Sequence, residues 1–553
     1  MAERDGVHNG MRHGGRVLIE QLEALGARRA FCVPGESFLA ALDALHDSPI
    51  DLVVARQEGG AAMMAEAHGK LTGAPGLCFV TRGPGATNAS AGVHVAMQDS
   101  TPMILFIGQV PTTFKDREAF QEVDLVAMFR PLAKWAASVD RTDRIPEYIA
   151  RAWSVATSGR PGPVVLALPE DVLSADAADV PLRAPGRSSL GPKKDDVEGV
   201  ADALRSAERP LLVVGGPGWS EHAATRLRQV AERWDLPVVT TFRCQDYLAN
   251  DDPRHAGDLG IAPDPALASR VRDADMLLVL GARLGEMTTS GYALPAPDGG
   301  KHVFHVHPDP DEPNTVYPAY GIASTSLAFL DALFALEPPE TVPWSDWTRA
   351  ARAEREAWIE PRETPGALKL ENVVRHVSDA LPSSAIVCNG AGNYAAWVHR
   401  YHRYGGWPGG TRTQLAPTSG SMGYGLPAAI AAKLHAPERE VVCYAGDGCF
   451  QMTCQEFGTA CEVGANIVVV VCDNGRYGTI AMHQERSFPD RPSGTTMRNP
   501  DFAAWARSYG ALGETVERDG HFPAALERAR AAGTPSLIHL KLDPRAVTPN
   551  TPA

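Results

Sequence analysis

The sequence has little that would suit the protein to a nucleic acid, a membrane or an oxidising compartment. Acidic residues outnumber basic ones by 66 to 52, and a net charge of −14 argues against a nucleic-acid or anionic-lipid partner. No run of about 18 apolar residues is present, and the polar residues 1–16 contain no apolar signal region. The nine cysteines form no CxxC pair, and the spacing of Cys443, Cys449, Cys454 and Cys461 matches no zinc ribbon. We therefore expect reduced cysteines in a cytoplasmic protein without a membrane partner.

What the chain does contain is a regular alternation of short apolar runs with amphipathic stretches, the pattern of parallel α/β domains. With 553 residues it is too long for one hydrophobic core. The runs form three series, which predict three doubly wound parallel-sheet domains at residues 10–175, 190–340 and 365–550. A polar linker is predicted at 175–196, and a connector with a surface helix at 337–364. The predicted strands are 30–33, 52–55, 77–81, 103–107, 164–168, 211–214, 238–240, 276–280, 302–305, 385–389, 440–445, 466–472 and 536–541.

Two neighbouring predicted strands of the last series end in polar residues. The first ends in the turn Gly446-Asp447-Gly448, a helix is predicted over 451–463, and the second strand ends at Asp473-Asn474. Open α/β sheets bind ligands at this carboxyl edge. Carboxylate, amide and carbonyl oxygens suit a magnesium ion that shares its shell with a diphosphate, and glycines let backbone N–H groups approach phosphate oxygens. The segment therefore predicts a site for Mg²⁺ and a diphosphate.

A Gly-Asp-Gly turn with an asparagine 27 positions after the aspartate (447 to 474) resembles the signature of the thiamine diphosphate enzymes. The resemblance implies three magnesium ligands: the Asp447 carboxylate, the Asn474 side chain and the backbone carbonyl of Arg476. This chain has Asp473 where the family usually has a first asparagine. Because the ligand position is the second one, we expect metal binding to survive this difference.

The glycine-rich loop that begins at Thr418 resembles the family segment that supports the cofactor in its V shape. The resemblance implies that Met422 props the cofactor and that the Gly420 carbonyl accepts a hydrogen bond from its 4′-amino group. The loop 389–394 stands where the family has a second diphosphate-binding loop. The implied cofactor-binding residues are Gly392, Asn393, Tyr394, Gly420, Met422, Gly446, Gly448, Cys449, Asn474, Tyr477 and Gly478.

Glu58 opens an alanine-rich predicted helix after the predicted strand 52–55. By itself, a glutamate in this place would only complement the helix dipole. The resemblance implies that Glu58 is the carboxylate that protonates N1′ of the aminopyrimidine, so that the 4′-imino group can remove the C2 proton. The first domain would then bind the aminopyrimidine and the third the diphosphate. In the family these two sites face each other from different subunits, which implies a homodimer or a dimer of dimers with the active site in the interface.

Residues 12–550 are most similar to the acetolactate synthase group of large catalytic subunits. The similarity rests on the segments 83–88, 108–111, 119–124, 130–134, 160–164 and 168–172. It implies that Phe120 and Gln121 line the pocket above C2 and that Lys134 lies near the mouth of this pocket. Without the family context, Phe120 would be read as a core residue and Lys134 as a surface residue.

Three features depart from a biosynthetic acetolactate synthase. Gly35-Glu36 places an acid where pyruvate decarboxylases have a catalytic aspartate, so Glu36 faces either the substrate or solvent. His483, three residues after Ile480 in the predicted substrate pocket, stands where the group has a tryptophan; it is either an acid–base group or a packing residue. The group's flavin-contacting segment is replaced by residues 255–260, which argues against FAD.

The predicted function is a thiamine diphosphate- and Mg²⁺-dependent decarboxylation of a 2-oxo acid, pyruvate or a relative, followed by carboligation to a second carbonyl. The alternatives are a non-ligating 2-oxo acid decarboxylase and a C–C lyase of 2-hydroxyacyl or diketone substrates. A cofactor-binding or regulatory protein without turnover would be expected to lack Glu58 or the pair Asp447 and Asn474. All three residues are present. The sequence names neither the donor nor the acceptor.

Overall fold

The computed structural model describes residues 12–184, 186 and 190–552. The polar start of the chain up to residue 11, including the predicted domain start at residue 10, lies outside these residues, and so do 185 and 187–189 of the predicted linker. The chain forms two compact units, of which the first ends at Ser188 and the second contains the rest together with Leu71–Gly73. The described residues form three six-stranded sheets, one in the first unit and two in the second. All pairings within the sheets are parallel.

The sheet of the first unit has the order β2-β1-β3-β4-β6-β5. Its strands are β1 Arg29–Cys32, β2 Asp51–Val54, β3 Gly76–Val80, β4 Met103–Gln109, β5 Trp135–Ser138 and β6 Pro163–Pro169. Its helices are α1 Gly14–Ala24, α2 Leu39–His46, α3 Glu58–Thr72, α4 Pro84–Asp99, α5 Leu125–Phe129, α6 Ile145–Thr157 and α7 Glu170–Ser174. Strands β3 and β6 are buried along their whole length, as expected for parallel strands covered on both faces.

The first sheet of the second unit has the order β12-β11-β10-β7-β8-β9. Its strands are β7 Pro210–Val214, β8 Val238–Thr240, β9 His255–Asp258, β10 Met276–Leu280, β11 His302–His307 and β12 Tyr320–Ala323. Its helices are α8 Lys194–Ser206, α9 Glu221–Trp234, α10 Pro265–Asp273, α11 Ser326–Phe334 and α12 Ser345–Trp358. Helix α12 is the helix predicted in the connector. It packs against β9, and the fully buried Trp344 that precedes it donates to the Trp234 carbonyl at 3.1 Å.

The second sheet of this unit has the order β14-β13-β15-β16-β18-β17. Its strands are β13 Ile386–Asn389, β14 Gln414–Leu415, β15 Val441–Gly446, β16 Val468–Asp473, β17 Leu512–Val516 and β18 Ser536–Lys541. Its helices are α13 Leu370–Ala380, α14 Tyr394–Tyr401, α15 Gly425–His435, α16 Asp447–Gln451, α17 Glu456–Glu462, α18 Gly478–Ser487, α19 Phe502–Ser508 and α20 Phe522–Ala531. The strand order reverses direction between β13 and β15, which opens a crevice at their carboxyl ends.

The single helix predicted over 451–463 is wrong, because the chain forms two short helices there. Helix α16 begins at Asp447 and α17 begins at Glu456, with a turn between them. The Thr453 hydroxyl in this turn donates to the Gly423 carbonyl at 2.7 Å. This bond ties the turn to the loop before α15, a contact that no local pattern of the sequence indicates.

Each strand predicted from the sequence is present, and the strands without a prediction are β5, β9, β12, β14 and β17. The nine cysteines, which all lie in the described part of the chain, form no disulfide. Across the described ranges, none of the helices combines the length and the apolar character that a membrane crossing requires.

A buried ion pair joins the two sheets of the second unit. The Asp246 carboxylate, fully buried after β8, accepts from the Arg412 guanidinium at 2.9 and 3.2 Å. It also accepts from the backbone N–H groups of Thr413 and Gln414 at 2.9 and 3.0 Å. Although burial opposes the charge, the Asp246 carboxylate raises the pKa of Arg412. This aspartate thus fixes the start of β14, the strand that leads to the loop before α15.

We expect Asp246→Asn to destabilise the second unit by about 3–5 kcal/mol, because the Arg412 charge stays buried without its counter-charge. A urea titration followed by tryptophan fluorescence measures the shift of the unfolding midpoint. Asp379→Asn is the matched control: it removes one partner of an ion pair with Arg403 whose side chains are both more than half exposed. Such pairs contribute about 0–1 kcal/mol. Equal midpoints for the two variants would contradict the prediction.

Candidate active site

The carboxyl edge of the C-terminal sheet contains a cavity of about 260 Å³ at the crevice between β13 and β15. Every residue predicted to bind the cofactor or the metal in this domain contributes to its wall. Its lining includes Gly392, Asn393, Tyr394, Gly420, Met422, Gly446, Asp447, Gly448, Cys449, Asn474, Arg476, Tyr477, Gly478 and Ile480. Residues from four separate segments, predicted on the basis of motifs alone, therefore meet at one place.

Asp447, the first residue of α16, is 4 % exposed, and its orientation is fixed by three donors. Its Oδ1 accepts from the Gly448 N–H at 2.9 Å, and its Oδ2 accepts from the Gly475 N–H at 2.9 Å and from Asn499 Nδ2 at 2.7 Å. Burial, and then the negative charge of Asp473, raise the pKa of this carboxyl above its usual range. A buried carboxylate of this kind gains from a cation that neutralises it.

Asp473, the departure from the family pattern, is held by its own set of donors. Its Oδ2 accepts from His539 Nε2 at 2.8 Å and from Lys541 Nζ at 2.7 Å. Its Oδ1 accepts from the Gly475 N–H at 3.0 Å and from Asn499 Nδ2 at 2.7 Å. Although burial opposes ionisation, the hydrogen bonds from His539, Lys541 and Asn499 hold the pKa of Asp473 below its ordinary value. The negative charge of Asp473 is thus stabilised by these donors, and its Oδ2 is bonded to residues of β18.

Two glycines at the cavity lie against tyrosine rings that leave little room for a Cβ. A Cβ at Gly446 would lie 3.0 Å from the Tyr394 ring, and a Cβ at Gly448 would lie 2.6 Å from the Tyr477 ring. The backbone of the Gly446-Asp447-Gly448 turn therefore stays open toward the cavity. This is the close backbone approach that a diphosphate needs.

Tyr394 and Cys449 line the cavity but are themselves almost fully buried. The Tyr394 hydroxyl accepts from the Gly390 N–H at 3.0 Å and donates to Cys449 Sγ at 3.4 Å. Cys449 Sγ also accepts from the Gly423 N–H at 3.2 Å. These two side chains therefore connect the loops that follow β13, β15 and the Gly420–Met422 segment.

Asn393 joins three segments of the cavity wall. Its Oδ1 accepts from the Thr479 hydroxyl at 2.8 Å, and its Nδ2 donates to the Val547 carbonyl at 3.0 Å. Thr479 and Val547 are wall residues without a prediction, and so are Leu368, Leu370 and Leu542. The apolar residues among them belong to no motif. They are far from the glycine-rich turns in sequence, and only the fold brings them to the cavity.

The donor set of the cavity fits a magnesium ion bound together with a diphosphate. Asp447 offers one carboxylate, Asn474 one amide oxygen and Arg476 one backbone carbonyl, all on the cavity wall. Within residues 12–184, 186 and 190–552, no three His, Cys, Asp or Glu side chains come together in a way that could hold a metal. A set with a single carboxylate suits Mg²⁺, which keeps part of its oxygen shell for phosphate oxygens and water.

In the first unit, Glu58 is the first residue of α3 and half-buried. Its Oε2 accepts from Asn88 Nδ2 on α4 at 2.9 Å, and a Cβ at Gly85 would lie 3.3 Å from its Oε1. Gln57 caps α3 through its Oε1, which accepts from the Gly59 N–H at 2.6 Å. The Glu58 carboxylate is therefore held at the carboxyl edge of the sheet with one amide partner.

Arg82 connects three segments at the same edge. This buried guanidinium donates to Glu36 Oε1 at 3.2 Å and to the Phe120 carbonyl at 3.0 Å, and it forms a further ion pair with Glu170. Glu36 is the first residue of the 3₁₀ turn Glu36–Phe38 that follows Gly35, and its side chain is 64 % exposed. Arg82 was not predicted, although it directly precedes the glycine-rich turn at 83–85.

Gln121 has a backbone φ of 62°, which places it in the left-handed region. It packs against Gly83, where a Cβ would lie 2.7 Å from the Gln121 carbonyl oxygen. Phe120 beside it is 72 % exposed. Glu122 holds the loop together, because its carboxylate accepts from the backbone N–H groups of Asp116 and Ala119 at 2.7 and 2.9 Å. The structure thus brings Gln121, Glu36 and the Gly83 turn to one edge of this sheet.

Lys134 does not join these residues. It precedes β5 at the amino edge of the sheet, and its ammonium donates to the carbonyls of Val155 and Ser158 at the end of α6. It therefore caps a helix at the edge opposite to that of Glu36 and Glu58.

Ile480 and His483 lie on helix α18, which follows the Asn474 turn. Ile480 lines the cavity and is 53 % exposed, whereas His483 is exposed and its Nδ1 lies 3.1 Å from Arg486 Nη2. His483 is absent from the wall of the cavity.

The segment that replaces the flavin-contacting residues forms the edge strand β9. His255 is fully buried, and its Nε2 lies 3.3 Å from Asn250 Nδ2. Asp258 at the end of the strand lies 3.8 Å from the Arg355 guanidinium on α12. The segment therefore has a role in packing the sheet against α12.

Comparison with protein families gives one family for all three sheets. The C-terminal TPP binding domain of thiamine pyrophosphate enzymes matches residues 390–540, the N-terminal TPP binding domain matches 12–128, and the central domain matches 197–333.

Several acetolactate synthase subunits match nearly the whole chain. The acetolactate synthase isozyme 2 large subunit of Escherichia coli K12 is 31 % identical over 538 residues, which cover 96 % of each protein. The acetolactate synthase large subunit of Parasynechococcus marenigrum is 33 % identical over 95 % of this chain and 86 % of its own length. The mitochondrial acetolactate synthase catalytic subunit of Saccharomyces cerevisiae is 30 % identical over 96 % of this chain and 80 % of its own length. The chain therefore belongs to the acetolactate synthase family of thiamine pyrophosphate enzymes.

Proposed function

We propose that this protein is a thiamine diphosphate- and Mg²⁺-dependent carboligase that decarboxylates a 2-oxo acid, with pyruvate or a close relative as the donor. The observation that carries the proposal is the cavity at the C-terminal sheet, where every predicted anchor residue of that domain contributes to the wall. In this proposal Asp447, Asn474 and the Arg476 carbonyl hold Mg²⁺. The glycine turns bind the diphosphate with backbone N–H groups.

Thiamine diphosphate, when bound, supplies the electron sink that stabilises the carbanion left by loss of CO₂. The protein's own contribution begins with Glu58, which holds a proton for N1′ of the aminopyrimidine. Its position at the start of α3, with Asn88 as partner, supports this role. Gln121 is proposed to orient the substrate oxygen, since its strained backbone beside Gly83 fixes its direction. Glu36 is proposed to face the substrate, held by Arg82.

The acetolactate synthase relatives favour carboligation over simple decarboxylation. A ligase must hold a second carbonyl compound and exclude water from the reacting carbanion. Exposed apolar side chains are available to exclude water. Phe120 at the carboxyl edge of the first unit's sheet and Ile480 on α18 are each more than half exposed. We propose that Phe120 and Gly35 of one copy of the chain and Ile480 of another copy contribute to the acceptor pocket. His483 is proposed as a polar group at its rim, and Lys134 is left out of the pocket because it caps α6.

The active site is proposed to form between two copies of the chain, with Glu58 of one copy serving the metal site of the other. The exposed Phe120 and Ile480 support a covering partner. The names of two relatives, "large subunit", imply a further subunit in those proteins. A cytoplasmic location stays a prediction, in keeping with nine free thiols. FAD is left out of the proposed cofactors because β9 replaces its contact segment.

The test is incubation of the purified protein with thiamine diphosphate, Mg²⁺ and a panel of 2-oxo acids, with products identified by mass spectrometry. We expect CO₂ release together with a product containing a new C–C bond, such as acetolactate from pyruvate. A parallel sample with EDTA in place of Mg²⁺ is expected to be inactive. Aldehyde as the sole product would instead indicate a non-ligating decarboxylase, and cleavage of a 2-hydroxyacyl or diketone compound would indicate a lyase.

A further inference from the structure

Asn499 lies beside the proposed metal site, although it is not a proposed ligand and does not line the cavity. Its Nδ2 donates to Asp447 Oδ2 and to Asp473 Oδ1, both at 2.7 Å. Its Oδ1 accepts from Gln451 Nε2 on α16 at 3.0 Å. One side-chain amide therefore joins two carboxylates and the helix that begins at the first of them.

The orientation of this amide is determined by its neighbours. Only N–H groups can face two carboxylates, and the oxygen then faces the Gln451 donor. Hydrogen bonds from an amide to an ionised carboxylate are shorter and stronger than neutral ones. His539 and Lys541 hold Asp473 in place. Because Asn499 bonds to both carboxylates, it fixes the position of Asp447 relative to Asp473.

The segment that carries Asn499 also holds the third proposed ligand. The Tyr477 N–H donates to the Thr495 carbonyl and the Met497 N–H donates to the Gly475 carbonyl, both at 2.8 Å. Arg476, whose carbonyl is the proposed ligand, pairs antiparallel with Thr496 between these two bonds. The side-chain ligand and the backbone ligand are thus tied to the same five residues, 495–499.

We propose that Asn499 is a positioning residue of the metal site, which fixes the Asp447 carboxylate relative to the 475–477 turn so that both can bind one divalent cation. Asn499 itself does not contact the cation. The inference rests on the proposed function, because it takes Asp447, Asn474 and the Arg476 carbonyl as the ligands. Partners that orient a metal ligand commonly contribute about 10–100-fold to metal affinity.

The test is a titration of the full-length protein with Mn²⁺ in the presence of thiamine diphosphate, followed by electron paramagnetic resonance of the free ion. We expect Asn499→Ala to bind Mn²⁺ about 10–100-fold more weakly than the wild type. Asn499→Ser, which keeps one hydroxyl donor, is expected to show a smaller loss. The titrations are made well below the melting temperature of each variant, so that a loss of global stability alone leaves the affinity unchanged.

Asn466→Ala is the matched control, because Asn466 is exposed at the amino edge of the same sheet. It is expected to bind Mn²⁺ like the wild type. Wild-type affinity in either folded Asn499 variant overturns the inference. A wild-type protein that binds no Mn²⁺ with thiamine diphosphate present contradicts the proposed function instead, so the two failures are distinguishable.

Discussion

Glu58→Gln is expected to lower turnover by about 10²–10⁴-fold while thiamine diphosphate still binds. Glutamine has the same shape and can still accept the hydrogen bond from Asn88, but it cannot supply a proton to N1′ of the aminopyrimidine. Product formation from the active 2-oxo acid measures turnover. Retention of the cofactor after gel filtration measures binding.

The matched control for this prediction is Glu147→Gln on α6, a partly exposed glutamate of the same unit that pairs only with Arg144 among the described residues. This variant is expected to keep full turnover and full cofactor retention. Wild-type turnover in Glu58→Gln would remove Glu58 from the mechanism. Loss of cofactor binding in that variant would make Glu58 a binding residue.

Asp447→Asn is expected to weaken Mg²⁺ binding by at least about 100-fold, because it removes the single charged ligand. This loss is larger than the one expected for Asn499→Ala. Turnover is lost with the metal. The unliganded variant is nevertheless expected to melt close to the wild-type temperature, because two effects oppose each other. A neutral amide removes a negative charge from beside Asp473 in a buried site, but its NH2 group then faces an N–H donor that bonds the carboxylate in the wild type.

Both effects can be measured on the same samples, by calorimetric titration with Mg²⁺ in the presence of thiamine diphosphate and by a thermal melt without ligands. Asp379→Asn, an exposed aspartate of the same sheet domain, serves as the control and is expected to change neither. A lower melting temperature with unchanged Mg²⁺ affinity would show that Asp447 supports the fold and not the metal.

The candidate site was predicted in part because its chemistry is local in sequence. The turn Gly446-Asp447-Gly448 and the residue Asn474 each end a strand, and strand ends on a parallel sheet meet at one edge. The same reasoning covers Glu58 after β2 and Gln121 after β4. It fails for Lys134, which precedes its strand and therefore lies at the other edge.

The strands without a prediction all lie at the edges of their sheets: β5, β9, β12, β14 and β17. Central parallel strands are covered on both faces and form continuous apolar runs, which a sequence shows directly. Strands β5, β12 and β17 are partly exposed, as in Tyr320–Ala323, where only Ile322 is buried. Strands β9 and β14 are mostly buried, but they are short and contain polar residues. Without an apolar run, such a strand cannot be predicted from its own residues, because it forms through pairing with the neighbouring strand.

The sequence by itself determined the three parallel α/β domains and predicted the residues of the cofactor anchor, because hydrophobic periodicity and strand-end motifs act within one or two elements. The tertiary structure decided which distant residues support that anchor. Asn499 and Arg82 carry no signal of their own, since their importance comes from carboxylates far away in the chain. The turn between α16 and α17 is likewise held by a distant residue, because the Thr453 hydroxyl donates to the Gly423 carbonyl. Such contacts join residues that are far apart in the chain, so only the packed structure determines them.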